Sequence, residues 1–515
     1  MKNYKTPGVY IEEKSAFPNS AVAVETAIPA FIGYTYKAER NGKSLLRIPT
    51  RINSLAEYKE SFGGGFKPKF QIESADDNLP YFKLGDEKKK IGYALNNELY
   101  FFNSIRLFYA NGGGPCIIVS IGTYGDASAK EVLLSDFMGT TDNSIGPLEI
   151  LEEEQTVTLV VMPDIVAIGK AAYPLYSNVL LHCAKTQSRF GVFDLKKHDN
   201  TEKPDVVANE FRNGIGENNL NYGAAYYPWL NASIVSEDEI NFENFSDLKP
   251  FLETEVCDII SQYSLDYHQL VAEREKIDPK IEEASYQDKV NQIISLKKKH
   301  HLALKSSSSK YNMILAQAVA FANEMPPSGA LVGLYTMVDN HRGVWKAPAN
   351  CSLSEVKSPM VNISSVEQES FNIDPSTGKS INVIRSFQGL GTLVWGARTL
   401  DGNSNDWKYI NVRRTLIMIE QSIKTAARAY VFEPNDANTW ATVKAMILNF
   451  LTNLWKQGAL MGAVPEQAFD VQIGLGSTMT PTDILEGKML IVVKLAIVRP
   501  DEFIVITFQQ QLQQT

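Results

Sequence analysis

The sequence predicts a mixed fold in two parts, an α/β body followed by an α+β unit. Three observations carry this reading. Thr156–Met162 (TVTLVVM), Ala171–Lys185 and Arg189–Leu195 (RFGVFDL) read as strand, helix and strand. That spacing is a βαβ crossover, and therefore a parallel sheet. Farther on, two amphipathic helices are followed by two apolar strand candidates, Ala468–Ile473 and Met489–Val498; helices laid on a small sheet make an α+β unit. Third, residues 236–310 are dense in charge and low in glycine, a helical excursion from the α/β body.

Taken in order, residues 1–20 form an N-terminal arm. Val9, Tyr10 and Ile11 are a short β-prone run bracketed by Gly8 and Pro18, and nothing nearby pairs with them as a hairpin. Residues 21–385 form the α/β domain with two insertions. The first, about 42–95, is rich in glycine, lysine and polar groups, as a small subdomain or long surface loops would be. The second is 236–310, returning near Tyr311. In the strand–helix–strand unit the helix is weakened by Pro174 near its start.

Residues 386–500 carry the clearest periodicity. Val412, Leu416, Ile419, Ile423, Ala426 and Tyr430 share one helical face, while Arg414, Gln421 and Arg428 recur every seventh residue on the other, with Lys424 beside them. That basic stripe is either a solvated face or an electrostatic contact to an acidic partner. The turn Pro434–Asp436 opens a second helix with Trp440, Val443, Ile447, Phe450, Leu451 and Leu454 inward and Gly458 as its stop. Residues 501–515 form a C-terminal arm. Phe503, Ile504, Val505, Ile506 and Phe508 belong to a continuous apolar strand candidate, the pattern of a strand buried on both faces; the two ends either tuck into the chain's own sheet or complete the sheet of a neighbour.

Length and composition bound the function. At 515 residues and roughly 150 residues per domain, about three domains are expected. A net charge of -9 without a basic block argues against nucleic-acid binding, which draws most of its affinity from phosphate neutralisation. No apolar run approaches the roughly 20 residues of a membrane helix, and Pro7, Gly8, Glu12 and Glu13 stand where a secretory signal would be apolar. Cys116, Cys183, Cys257 and Cys351 lie far apart without a CxxC, as free thiols of a chain made in a reducing cytoplasm do.

Catalytic and cofactor motifs fail when tested. Gly42-Lys43-Ser44 and Gly378-Lys379-Ser380 lack the phosphate-loop glycine, replaced by Lys37 and Ile373. Gly389–Gly391 and Gly474–Gly476 lack the third dinucleotide glycine, at Val394 and Met479. Ser477 has no Gly-His or Asp-Thr-Gly element upstream, Asp339 and His341 are the nearest approach to an acid/base pair, and His182 reads as a core histidine. Lys297–Lys299 beside His300 and His301 read as a solvated helix face, without ligand spacing for a metal. The expectation is no catalytic residue, no cofactor and no metal.

Several blocks in fixed order carry a resemblance. They include YKTPGVYIEE at Tyr4–Glu13, FYANGGGPC at Phe108–Cys116, PPSGALVGLYTMVDNHRGVWKAPAN at Pro326–Asn350 and GTLVWGARTL at Gly391–Leu400. YINVRRTLIMIEQSI at Tyr409–Ile423, VFEPND at Val431–Asp436, FLTNLWKQGALMGAVPEQAF at Phe450–Phe469 and VRPDEFIVITF at Val498–Phe508 follow. In these blocks the chain resembles contractile phage tail sheath proteins, above all the sheaths of extracellular contractile injection systems. The likeness is dense over 326–508 and patchy before it; no matching block falls in 236–310, where such sheaths vary.

The resemblance implies a subtilisin-like α/β domain without a catalytic triad and a C-terminal α+β assembly domain facing an inner tube. It implies that Val9–Ile11 and Phe503–Phe508 enter neighbouring subunits as strands. The partners it implies are further copies of the chain, an inner tube protein, baseplate and terminal cap proteins, and sister sheath proteins; on the second reading of the basic stripe, Arg414, Gln421, Lys424 and Arg428 would meet the tube. It implies assembly in a bacterial cytoplasm, then function in a tail-like particle. The competing readings are an α/β hydrolase and a non-contractile shell or capsid protein.

Overall fold

The computed structural model describes residues 21–76, 80–139, 145–199, 201–279 and 282–503. These divide into two compact units. The larger comprises Ala27–Val338 and Pro348–Ile410; the smaller gathers the chain up to Thr26, Asp339–Ala347 and the chain from Asn411 onward.

A nine-stranded sheet organises the larger unit. Its strands, in chain order, are β1 (Pro29–Thr35), β2 (Thr50–Ile52), β3 (Cys116–Thr123), β4 (Leu159–Val161), β5 (Phe190–Asp194), β6 (Gly223–Tyr227), β7 (Cys351–Ser352), β8 (Asn382–Phe387) and β9 (Gly391–Trp395). The spatial order is β7-β9-β8-β6-β5-β4-β1-β3-β2. From β8 to β3 neighbours run parallel, and β2, β9 and β7 add antiparallel edges. β1, β5 and β6 are buried along their whole length, as parallel strands covered on both faces must be. The strand–helix–strand expectation is met by β4, α2 (Tyr173–Thr186) and β5. Pro174 sits in the first turn of α2, where the missing N–H costs nothing.

α1 (Phe101–Ala110) and α6 (Ser328–Arg342) approach closely through two glycines. A Cβ at Gly329 would lie 2.5 Å from the Ser104 carbonyl oxygen, and one at Gly333 would lie 2.4 Å from that of Phe108. No other residue permits that backbone approach.

The two expected insertions are not separate. A three-stranded antiparallel ribbon, Phe70–Ser74, Phe82–Leu84 and Glu87–Tyr93, shares one apolar core with the helices α3 (Lys249–Glu275), α4 (Glu283–Ser307) and α5 (Ser309–Ala322). Phe70, Phe82, Leu84 and Ile91 meet Leu252, Val256, Leu304, Tyr311 and Ile314 there. The first insertion was also drawn too wide: β2 lies inside 42–95 yet pairs with β3 in the main sheet, Thr50 opposite Ile118. His300 departs from the expected solvated face. It is buried, its ring stacked on Tyr263 at 4.0 Å, while Lys297 pairs with Glu243 at 2.6 Å.

The domain boundary at 386 is corrected to 411. β8 straddles residue 386 and continues the large sheet through Tyr226 opposite Asn382, and β9 folds back on it with Trp395 opposite Val383. Hydrogen bonding therefore holds 386–410 in the larger unit.

The smaller unit is built on α7 (Ile410–Ala427), α8 (Ala437–Lys456) and an antiparallel pair, β10 (Phe469–Gln472) with β11 (Val492–Leu495). Its core joins Ile419, Val443, Ile447, Phe450, Leu451 and Leu454 to Phe469 and Val471, the helical faces expected from the periodicity. Asp436 caps α8 by accepting from the Thr439 amide at 2.9 Å. At the other end the Ala459 amide reaches the Leu454 carbonyl, the Gly458 amide reaches that of Trp455, and Gly458 takes φ 83°. This pair of bonds is a Schellman stop.

Candidate functional site

In an open parallel sheet, ligands bind beyond the carboxyl ends of the strands where the chain reverses direction across the sheet. Here the chain passes from β1 to β3 on one side, then crosses to β4 on the other, so the crevice lies between the ends of β1 and β4. The Asp164 carboxylate fills it. Its Oδ1 accepts from the amides of Tyr100 and Phe101 at 2.7 and 2.8 Å, and its Oδ2 from the Tyr34 amide at 3.0 Å. Those first two amides open α1, the place where a bound anion would sit. Burial pushes the Asp164 carboxyl up to about 6, against the lowering effect of the three amide bonds.

A second carboxylate repeats the arrangement. Asp194 ends β5 and accepts from the Ser328 amide, at the start of α6, at 2.7 Å. Burial raises it to about 7, opposed by its bonds to Ser328. Both groups close helix ends from within the protein.

The rejected motifs also have structural duties. Lys379 is buried and donates to the Arg212 carbonyl at 2.5 Å, so Gly378–Ser380 is a buttress between segments of the larger unit. His182 is buried against Arg189, its Nε2 2.5 Å from the guanidinium. Burial, then the Arg189 charge, lowers it to about 4. Cys116 and Cys183 are buried, Cys351 half-buried and Cys257 exposed, none of the four in a disulfide; burial pushes the Cys116 thiol up to about 12. Among the described residues no three His, Cys, Asp or Glu side chains cluster at metal-binding distance. No described helix is long and apolar enough to cross a membrane.

In the smaller unit, the expected basic stripe divides. Lys424 and Arg428 are exposed and Gln421 is half-buried. Arg414 is corrected. It is 4% exposed and sits in a bidentate pair with Asp339, Nη1 to Oδ1 at 3.0 Å and Nη2 to Oδ2 at 2.6 Å. Asp339 comes from α6, 75 residues earlier in the chain, which no helical periodicity could reveal. The same pairing removes Asp339 as the acid of an Asp339/His341 pair.

β10 and β11 make a sheet of two strands, with no third among the described residues. Val492 and Lys494 on β11 are exposed. Phe503, where the described chain ends, is 72% exposed. The remaining arm residues, Val9, Tyr10, Ile11, Ile504, Val505, Ile506 and Phe508, lie outside the described residues.

Comparison with known proteins bears on this architecture. Residues 403–511 match the phage tail sheath C-terminal domain. Over 162 residues the chain is 26% identical to the tail sheath protein of Vibrio phage KVP40, a match covering 32% of this chain and 23% of that protein. The sheath complex of an extracellular contractile injection system, PVC, in its contracted state is 28% identical, with 99% of each chain covered and a TM-score of 0.59. The helical sheath of the anti-feeding prophage, also contracted, is 26% identical over 99% of this chain and all of that one, with a TM-score of 0.58.

By these likenesses the chain is similar to tail sheath proteins of contractile systems, the family model covering its C-terminal part. The two solved structures that it resembles along nearly its whole length are sheaths, one of an extracellular contractile injection system and one of the anti-feeding prophage.

Proposed function

We propose that this protein is a structural subunit that polymerises helically around an inner tube and contracts to drive that tube through a target envelope. One observation carries the reading: a likeness spanning 99% of the chain to the sheath of a contractile injection system in its contracted state. The larger unit is then a subtilisin-like scaffold without catalysis, in keeping with Asp164 and Asp194 closing the strand-end crevices.

The pair β10–β11 is the acceptor. The helices α7 and α8 cover one face of this pair, and its edges are a template on which a further strand can pair. The arms Val9–Ile11 and Phe503–Phe508 of neighbouring copies supply the missing strands, so edge pairing becomes the purpose of the edge instead of a hazard. Residues 499–515 reach roughly 55 Å at about 3.3 Å each. A compact chain of this length has a radius of gyration near ~24 Å, so an arm crosses into its neighbour. Each aliphatic side chain buried there contributes about 1.5–3 kcal/mol.

Gln421, Lys424 and Arg428 face the inner tube protein. Baseplate, terminal cap and sister sheath proteins complete the particle, which assembles in a bacterial cytoplasm without nucleic acid, membrane insertion or cofactor. The driving energy is stored in subunit packing at assembly, because a trigger shifts a two-state assembly only through differential contacts.

Electron microscopy of the chain co-expressed with its tube protein tests the proposal. Helical sheaths in long and short forms are expected. Amorphous or closed-shell particles would remove it, and single-serine labelling by a fluorophosphonate probe would favour a hydrolase.

A further inference from the structure

The segment that joins the N-terminal arm to the folded chain is held in part by polar bonds to α7 and to the end of α6, within the smaller unit. Residues 21–26 have no regular secondary structure, yet Val24 and Thr26 are both tied down. The Val24 amide donates to Ser422 Oγ at 3.0 Å, and that hydroxyl donates to the Met418 carbonyl at 2.6 Å. The Thr26 carbonyl accepts from Arg414 Nη2 at 2.9 Å, while its hydroxyl donates to Asp339 Oδ2 at 2.6 Å. Ala21 is buried in the core of this unit, with Val24 packed against it. Arg414, Asp339 and Thr26 thus form one cluster around a main-chain carbonyl. The side chains of the ion pair are 3% and 4% exposed, which shields them from water and salt.

We infer that Arg414 is a positioning residue for the N-terminal arm, clamping Thr26 to Asp339 so that load on residues 1–20 passes into α7. The mechanical role rests on the sheath reading; the clamp itself does not. A pull on the arm meets Ala21, Val24 and Thr26 in sequence. It is taken up by α7 and by the end of α6 before the chain enters β1 three residues later. A planar guanidinium suits the task, because its fork can hold both carboxylate oxygens and still donate to the Thr26 carbonyl. A lysine can hold the charge but not all three acceptors.

The test separates anchoring from stability. Truncating one partner strands a buried charge and can unfold the unit, so the decisive variant replaces both. Arg414→Met with Asp339→Leu exchanges the ion pair for apolar groups, a change often neutral or stabilising for a fold. Hydrogen exchange by mass spectrometry on the full chain should show amides of residues 22–27 exchanging at least ~10-fold faster. The amides of 437–456 should keep their protection. Arg414→Lys should fall between the double variant and the wild type. Co-expressed with the tube protein, the double variant should form sheaths at less than about a tenth of the wild-type yield. Unchanged exchange at 22–27 in a folded double variant would overturn the clamp. Faster exchange with wild-type sheath yield would overturn its part in load transfer. A wild-type chain that forms no sheath would overturn the sheath reading alone, leaving exchange to decide the clamp.

Discussion

Removing the Asp164 carboxylate should open the crevice that it fills, and the effect can be worked out from its bonds. In Asp164→Ala, the amides of Tyr34, Tyr100 and Phe101 lose their acceptor inside a buried site. An orphaned buried donor costs about 1–3 kcal/mol, so three cost roughly 6. Against this, the wild-type carboxylate is itself strained at neutral pH. Its folded value of about 6, against an ordinary 3.8, corresponds to ~3 kcal/mol favouring the protonated form, at 1.36 kcal/mol per unit. The net loss near pH 7.5 is therefore about 3 kcal/mol. At about 2.1 cal/mol/K per residue, the roughly 375 residues of the larger unit translate that loss into a fall in melting temperature of about 4 °C.

Differential scanning calorimetry reads this directly, and acetate supplies the control. A small carboxylate should enter the vacated space at the start of α1 and raise the melting temperature of the variant. At about five times its Kd it returns roughly 1 kcal/mol, with little effect on the wild type. A variant melting within 1 °C of the wild type, or equal responses to acetate, would refute the claim that Asp164 stands where a bound anion would.

Further consequences follow from other parts of the chain. The carboxyls of Asp164 and Asp194 are raised to about 6 and about 7, so these two groups contribute stability that grows as pH falls from 8 to 5, while His182 and His300, lowered to about 4 by burial, oppose it below about pH 6.5. Urea midpoints of the wild type and of Asp194→Asn across that range would isolate the first contribution: the wild type should gain on the variant as pH falls from 8 to 5, and a constant difference would exclude it. Phe450→Ala removes a buried ring from the core of the smaller unit and should cost about 3–5 kcal/mol, seen as early proteolysis of residues 411–500 while the larger unit persists. Reversal of Lys424 and Arg428 to glutamate should abolish sheath formation on the tube and leave the melting temperature within about 1 °C, since both are exposed; undiminished assembly would exclude them from the tube contact. Deletion of 501–515 should give a folded monomer by size-exclusion chromatography that does not polymerise.

What the sequence disclosed follows the range of the interactions. Periodicity is local, so the inward faces of α7 and α8 and the stop at Gly458 were legible, as were β4, α2 and β5. The hairpin β8–β9 reads just as clearly as strands, but its membership of the large sheet depends on Tyr226 meeting Asn382 across more than 150 residues, and the boundary at 386 fell in the wrong place. Arg414 shows the same limit. Its heptad spacing with Gln421 and Arg428 marks a polar face, and a polar face normally means solvent. Only the fold brings Asp339 and the Thr26 carbonyl to it. Asp164 left no signal at all in a run as apolar as VVMPDIVAI, although an acidic residue among eight others without charge is in retrospect the anomaly to pursue. The resemblance of whole blocks indicated the class because it draws on many positions together, where each motif taken singly failed.

The common core of the 70–93 ribbon and the α3–α5 helices bears on how this chain tolerates trimming. Cutting out the ribbon alone would bare Leu252, Leu304 and Ile314 to water, and cutting out the helical hairpin alone would bare Phe70, Phe82 and Ile91. Each lesion would leave a sticky surface on a subunit that, on the proposed function, stacks in many copies. A shorter version of this protein must shed both pieces at once, so length changes between related chains should come as paired deletions at two distant places in the sequence.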